Sequence, residues 1–322
     1  MKHRRLIAVG IALAALAGPL LLLLQTKEAA EPLQSSQPAQ IISSEAVQPE
    51  APSFDQSLLL RVKTEDGVEE MSLYNYLTGV LAAEMPSSFS PAALEAQAVA
   101  SRTYALRRAA SGKHPEADVC TDSACCQAWC APDAEEAIAA AVQATDGLVV
   151  TYEDKLIDAT FFSCANGSTE AAVAVWGGDV PYLQAVDSPE YVEKYEQTVT
   201  VPAAEFAEKL RQAYPEAVLE GTPETWFGAS TQTAGGGIDT VLIGGVSVRG
   251  TSLRKLFSLR STRISITPTA DSVEFSTQGY GHRVGMSQYG AEAMAQAGSD
   301  FEEILLHYYQ GTQLQRLVLD EE

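Results

Sequence analysis

Gly79-Val80-Leu81-Ala82-Ala83-Glu84-Met85-Pro86, followed after a short break by Glu95-Ala96-Gln97-Ala98-Val99-Ala100-Ser101-Arg102-Thr103-Tyr104-Ala105, is the stretch that most constrains the fold of this chain. The first run closes an apolar helix that begins near Leu73, with Ser72 as its cap and Leu77, Val80 and Leu81 on one face. Pro91 suits the first turn of a second, longer helix reaching about residue 110. Ala92, Ala93, Ala96, Val99, Ala100, Thr103 and Leu106 give that helix an alanine-rich face able to pack closely on neighbours.

Upstream of this pair, residues 58–62 and 68–71 read as strands around the turn Glu65-Asp66-Gly67. Downstream comes a cysteine-rich loop over 113–132, then an alanine-rich helix over 135–144 that stops at Thr145-Asp146-Gly147. Residues 148–152 and 156–162 form an expected hairpin. A helix follows at 203–213, and strands are expected at 240–248 and 263–267 with a short helix, 252–259, between them. One more strand at 271–277 and helices at 287–297 and 300–308 complete the pass. Helices and strands are mixed without strict alternation, so the expected class is α+β with short antiparallel strands. No solenoid or propeller period is present.

Residues 6–24 contain no ionisable side chain and follow Lys2, Arg4 and Arg5. As a helix rising about 1.5 Å per residue, this run spans about 28 Å, close to a hydrocarbon core. The basic flank stays cytoplasmic and the rest of the chain is exported. A cleavable signal peptide is the competing reading; the long apolar run favours an uncleaved anchor over 1–24. Residues 25–57 are rich in Glu, Gln, Ser, Pro and Ala and read as a disordered tether. The body, 58–322, is then expected to lie outside the membrane. Among 322 residues, 42 are acidic and 21 basic, a net charge of −21 that argues against a nucleic-acid partner.

Glu84 stands at the end of an apolar helix between Ala83 and Met85, where desolvation raises a carboxyl's pKa and suits a general acid. A solvated or capping glutamate is the plainer reading of the residue by itself. The surrounding block strengthens the first reading. Glu84-Met85-Pro86 followed by the run from Ala96 to Tyr104 resembles the stage II sporulation protein D family, which includes proteins described as amidase enhancers. Two later blocks agree in the same order: Val175-Trp176-Gly177-Gly178-Asp179-Val180-Pro181-Tyr182-Leu183, and Gly279-Tyr280-Gly281-His282-Arg283-Val284-Gly285-Met286-Ser287-Gln288-Tyr289-Gly290-Ala291. The resemblance spans roughly residues 58–311 and implies a bilobed body.

It also implies a lytic transglycosylase, in which one carboxyl performs both proton transfers: the bond between N-acetylmuramic acid and N-acetylglucosamine breaks, and the muramyl C6 hydroxyl attacks the anomeric carbon to leave a 1,6-anhydromuramyl end without water. Most glycosidases need two carboxylates; here no second acid is equally placed in the sequence, and Glu84 maps onto the family's catalytic glutamate. Arg102 lies in the same block and is expected to contact substrate, with a structural ion pair as the alternative. His282 and Gln288, in the glycine-dense block, are expected to hydrogen-bond sugar groups, against a buried, backbone-satisfied role for His282. Trp176 suits stacking on a sugar face or packing in the core. Many family members carry glycine where Arg283 stands.

The cysteine-rich loop holds a second constellation. His114, Cys120 and Cys126, with Cys125 and Cys130 nearby, supply an imidazole and thiolates of the kind zinc prefers. The resemblance points to His114, Cys120 and Cys126 as ligands of a structural zinc. Disulfide bonding remains the rival in an exported protein. A zinc hydrolase is disfavoured, because the candidate ligands cluster in one loop and no His-Glu-x-x-His run occurs. By the same resemblance the expected setting is the septal space of a sporulating cell, with a single-pass anchor in its membrane and denuded glycan strands as substrate. Stage II sporulation proteins P and M are then the expected partners. A non-catalytic wall protein that activates a partner amidase is the alternative function.

Overall fold

A computed structural model describes residues 53–131 and 135–319. The expected anchor, 1–24, and most of the expected tether lie outside the described residues. Among the described residues no helix is long and apolar enough to cross a membrane.

The first element already departs from expectation. Helix α1 (Phe54–Ser57) is a single turn, capped by Ser53 and held by Asp146, whose carboxylate accepts the Phe54 and Asp55 amides at 2.9 Å each. Asp55 is buried against Arg102. Residues 53–57, which fall in the expected tether, therefore pack on the body, and the tether-like composition of this segment concealed a buried anchor point.

Helix α2 (Leu73–Glu84) starts where Ser72 accepts the Asn75 amide and buries Tyr76, Leu77, Val80 and Leu81. It ends because Met85, ahead of Pro86, takes an extended conformation at φ −132° and ψ 142°. Gly79 in mid-helix is destabilising by about 1 kcal/mol relative to alanine. Its reason is contact: a Cβ there would collide with the Trp129 indole and the Cys130 carbonyl, so the cysteine-rich loop lies directly on this helix. Helix α3 (Pro91–Ala110) has Pro91 in its first turn and buries Ala93, Ala96, Ala98 and Ala100. These small side chains let α2, α4 (Glu136–Ala144) and the strand Leu148–Tyr152 pack against it.

Later in the chain come α5 (Ala172–Trp176), α6 (Ala203–Ala213), α7 (Gly250–Leu256), α8 (Gln288–Gln296) and α9 (Phe301–Tyr308). Helices α8 and α9 return to α3, so residues from both ends of the body share one core with Met286, Ile304 and Tyr308. The segment 199–275 builds a core of its own, centred on Phe206, whose ring stacks on Phe257 at 4.9 Å and lies beside Phe275 and Trp226. A third cluster joins α2 to the strand Leu59–Lys63 and the cysteine-rich loop.

The sheets are small and mainly antiparallel, in keeping with the α+β class. Two expected strands change. The hairpin over 148–162 closes at Leu156; Phe161–Phe162 instead pairs in parallel with Met286–Ser287. The strand over 240–248 breaks at Gly244-Gly245, both at positive φ, into Ile238–Ile243 and Val246–Arg249. The first change matters for function, because it delivers the N-terminus of α8 to the wall of the cleft described next.

Candidate active site

Glu84 is the last residue of α2 and lines a cleft of about 640 Å³. Two donors hold its carboxyl. The Ala128 amide donates to Oε1 at 3.3 Å, and the Gln288 side-chain amide donates to Oε2 at 3.1 Å. Burial raises the Glu84 pKa above the ordinary 4.5, and the two hydrogen bonds, which favour the carboxylate, only partly reverse it. The result is a carboxyl oriented by the fold and more readily protonated than in water.

Gln288 opens α8, where Ser287 accepts the Gly290 amide as cap. Its register depends on the glycine-dense loop before it. Gly285 lies at φ +81°, and a Cβ there would collide with the Thr160 carbonyl. Arg283 sits at φ +66°, a conformation that glycine adopts freely, and pays for it with contacts. Its guanidinium bonds Glu170 at 3.0 Å and the Ser168 and Gly235 carbonyls at 2.6 and 2.7 Å. Burial pushes this arginine down to about 10, which leaves it charged at neutral pH.

His282 lines the same cleft, flanked by Phe162 at 5.6 Å and Trp176 at 5.3 Å. Its Nδ1 accepts the Val284 amide at 3.1 Å, which places the neutral ring's proton on Nε2. Burial and the neighbouring Arg254 push its pKa down to about 4, so the ring is a neutral donor rather than a cation. Trp176 ends α5 at 49% exposure, with one face available to a ligand.

Arg102 does not belong to this site. It is fully buried, bonds both Asp55 oxygens through Nε at 2.9 and 3.0 Å, and donates to the Leu148 and Val142 carbonyls. With every arm engaged inside the core, it has no path to substrate; the expected contact is corrected to a structural ion pair. The cleft's arginine is Arg108, which the sequence reading passed over together with Asp158. Asp158 is a second acid in the same cleft, where the sequence pattern had pointed to none. A lone aspartate between a strand and an irregular segment carries no local signal of such a placement.

The cysteine-rich loop folds as a knot. His114, Cys120, Cys125 and Cys126 bring their donor atoms within 4.8 Å of one another, with His114 Nε2 at 3.3 Å from Cys126 Sγ and 3.6 Å from Cys125 Sγ. The edge of a tetrahedron with about 2.3 Å metal–sulfur bonds is about 3.8 Å, so this donor set has the dimensions of a metal site. Cys125 joins the three expected ligands, and the sequence pattern did not single it out. Cys130 turns its thiol toward the Gly79 carbonyl at 3.8 Å, and Cys164 bonds Asn166 elsewhere. None of the five cysteines is in a disulfide. Two residues beyond Cys126 stands Ala128, the donor to Glu84, so the knot and the acid are mechanically connected.

The family model described as stage II sporulation protein matches residues 62–152, which hold Glu84 and the whole knot. Stage II sporulation protein D of Bacillus subtilis (strain 168) is 37% identical over 266 residues, covering 77% of this chain and 75% of that protein. Its counterpart in Bacillus amyloliquefaciens is 36% identical over 264 residues, with the same coverage of 77% and 75%. A B. subtilis protein named amidase enhancer is 27% identical over 288 residues, covering 74% of this chain and 40% of that protein. The chain belongs to the stage II sporulation protein D family.

Proposed function

We propose that the chain is a lytic transglycosylase that cuts peptidoglycan glycan strands during sporulation, with Glu84 as its single acid and base. The observation that carries this reading is the desolvated Glu84 carboxyl, gripped by two donors, in an open cleft walled by Trp176, Phe162 and a neutral His282, with the other acid of the cleft, Asp158, facing Arg108. In the first step protonated Glu84 gives its proton to the glycosidic oxygen as the muramyl C1–O bond breaks and positive charge develops at C1. In the second, the carboxylate takes the proton of the muramyl C6 hydroxyl as that oxygen bonds to C1. Glu84 returns to its protonated form, the product carries a 1,6-anhydro ring, and no water is consumed.

The fold supplies what each step needs. Burial keeps the proton on Glu84 before the first step. Ala128 and Gln288 then stabilise the carboxylate between the two steps. His282 and Trp176 supply a neutral donor and an aromatic face to sugar rings. His114, Cys120, Cys125 and Cys126 fit zinc, and four protein ligands make a closed site. A zinc ion held there supplies a cross-link within the loop rather than an open coordination position.

We propose for the wider setting an N-terminal anchor in the cell membrane, a catalytic body in the septal space, denuded strands as substrate, and stage II sporulation proteins P and M as partners. Family membership supports this reading only as far as sporulation and the cell wall. A second reading, a non-catalytic wall protein that activates an amidase, is favoured by the likeness to the amidase enhancer.

Product analysis separates the two. The purified full-length chain is incubated with glycan strands, and the ends are examined by mass spectrometry. Anhydromuramyl ends that vanish in Glu84→Gln are expected. Reducing ends in their place would indicate hydrolysis, with Asp158 as the natural suspect for a second carboxylate. No cleavage of peptide-bearing or denuded strands would leave the activator reading.

A further inference from the structure

Arg108 lies in the last turn of α3, its guanidinium carbon 4.6 Å above the Tyr104 ring. Asp158 follows the strand Lys155–Leu156; its amide donates to the Tyr182 hydroxyl at 3.1 Å, and its carbonyl accepts the Thr160 amide at 2.8 Å. Both side chains line the cleft that holds Glu84. They face each other as an ion pair, but a loose one. The closest approach, Arg108 Nη2 to Asp158 Oδ1, is 3.6 Å, longer than a hydrogen bond, and the side chains are 30% and 31% exposed.

Each member also keeps an orphan. Arg108 Nε and Asp158 Oδ1 are buried without a hydrogen-bond partner among the described residues. These two atoms have almost no accessible surface, so they leave the pair loosely held rather than bind a ligand themselves; the exposed third of each side chain, donors on Arg108 and an acceptor on Asp158, is what the cleft offers. A carboxylate would accept from Arg108 but bring a second negative charge against Asp158. An ammonium would do the reverse. A hydroxyl both donates and accepts, so it can give its proton to Asp158 while accepting from Arg108.

We propose that Arg108 and Asp158 together form a hydroxyl-reading subsite that holds one sugar ring of the substrate in the cleft of Glu84. This rests on the reading of that cleft as a glycan site. Arg108 and Asp158 bind and orient; they take no part in the proton transfers.

The test uses the full-length chain carrying Glu84→Gln, so that ligand is bound and not consumed. Two probes are titrated calorimetrically: the neutral trimer of N-acetylglucosamine, and denuded strands that carry muramyl carboxylates. Arg108→Gln and Asp158→Asn are each expected to weaken both probes by about tenfold or more, the size of a lost hydrogen bond to a charged group. The double variant should lose little beyond either single change, because one hydroxyl serves both partners. Melting temperature should hold, since the pair is loose at 3.6 Å and each side chain is about a third exposed.

Several results overturn the proposal. Unchanged affinity for both probes removes the subsite while leaving the glycan reading intact. Weakening confined to the muramyl probe makes Arg108 a carboxylate reader instead. Weakening that tracks a fall in melting temperature assigns the pair a structural role. In the Glu84 protein, a loss of kcat in Asp158→Asn with KM unchanged makes Asp158 catalytic. Failure of the parent to bind either probe overturns both this subsite and the reading it rests on.

Discussion

Arg102 and Arg108 stand on the same helix, and the regions around them differ in how completely their polar groups are paired. Around Arg102 the accounting closes: two Asp55 oxygens, the Thr145 hydroxyl and two carbonyls surround a fully buried guanidinium. Around Arg108 it does not. That guanidinium keeps a buried Nε without a partner, Asp158 keeps an oxygen, and across the cleft Glu84 is held partly desolvated. The first region stabilises the fold and pins the start of the body to its core. The second is loosely paired, and both its side chains keep exposed polar atoms facing the cleft. A fully satisfied site has little left to offer a substrate.

The contrast is broken most severely at Glu84. Glu84→Gln preserves size and keeps one acceptor for the Ala128 amide, with the Gln288 side chain able to turn its oxygen to the new NH2 group, but removes the transferable proton. The rate of anhydromuramyl formation should fall by about 10²–10⁴-fold, the usual worth of a positioned acid–base group. Folding should not suffer. The raised pKa means that ionising Glu84 at neutral pH works against the folded state, so urea unfolding at pH 7 should show the variant at least as stable as the parent. A loss of stability would show that Glu84 belongs with Arg102 as a structural group.

The opposite signature is expected at Asp55. Asp55→Ala leaves the Arg102 guanidinium buried without its counter-ion, and breaking such a pair costs about 3–5 kcal/mol. Denaturant unfolding of the full-length chain should register that loss, together with a lower melting temperature. The folded fraction should keep its affinity for glycan, because Arg102 does not reach the cleft. Impaired binding by well-folded protein would return Arg102 to the substrate side.

Between these extremes lies the knot, which is structural in composition yet two residues from a donor to the acid. Cys125→Ser should weaken zinc binding by at least about tenfold, judged against the effect of disturbing groups outside a metal's own ligands. Cys130→Ser should leave affinity unchanged, because its thiol points to Gly79. Metal competition with a chromophoric chelator measures both. Equal effects from the two variants would mean that Cys125 is not the fourth ligand.

The same division explains what the sequence could disclose. Helix limits were legible because their causes are local: Ser72 as cap, Pro86 as terminator and Pro91 in a first turn fix α2 and α3 nearly to the residue. The loop's cluster of candidate metal ligands was legible for a similar reason, since His114, Cys120 and Cys126 lie close together in the chain. Long-range pairings were not. Phe161–Phe162 finds its partner strand more than a hundred residues away, and nothing near residue 161 announces it. Arg102 was misread because its partner, Asp55, sits in a segment with the composition of a linker. Asp158 was missed because its importance comes from facing Arg108 in the cleft, which only the assembled fold reveals.

The finest test concerns the balance of forces on Glu84. Burial raises its pKa, whereas the Gln288 side chain and the Ala128 amide pull it back toward the carboxylate. Gln288→Leu deletes the side-chain donor while keeping the site covered. The Glu84 pKa should therefore rise further. The sign follows for rate: cleavage requires protonated Glu84, so activity falls as pH climbs through the folded-state pKa, and this alkaline limb should move to higher pH in the variant. Stability follows the same rule. A raised folded-state pKa means that the folded protein binds the extra proton, so the group's contribution is greatest in acid and declines as pH rises from about 4.5 upward. That decline should extend to higher pH in Gln288→Leu and disappear in Glu84→Gln. Rate profiles on denuded strands, paired with urea unfolding across the same pH range, check both trends. A limb that moves to lower pH would show that the Gln288 side chain stabilises the protonated acid rather than the carboxylate.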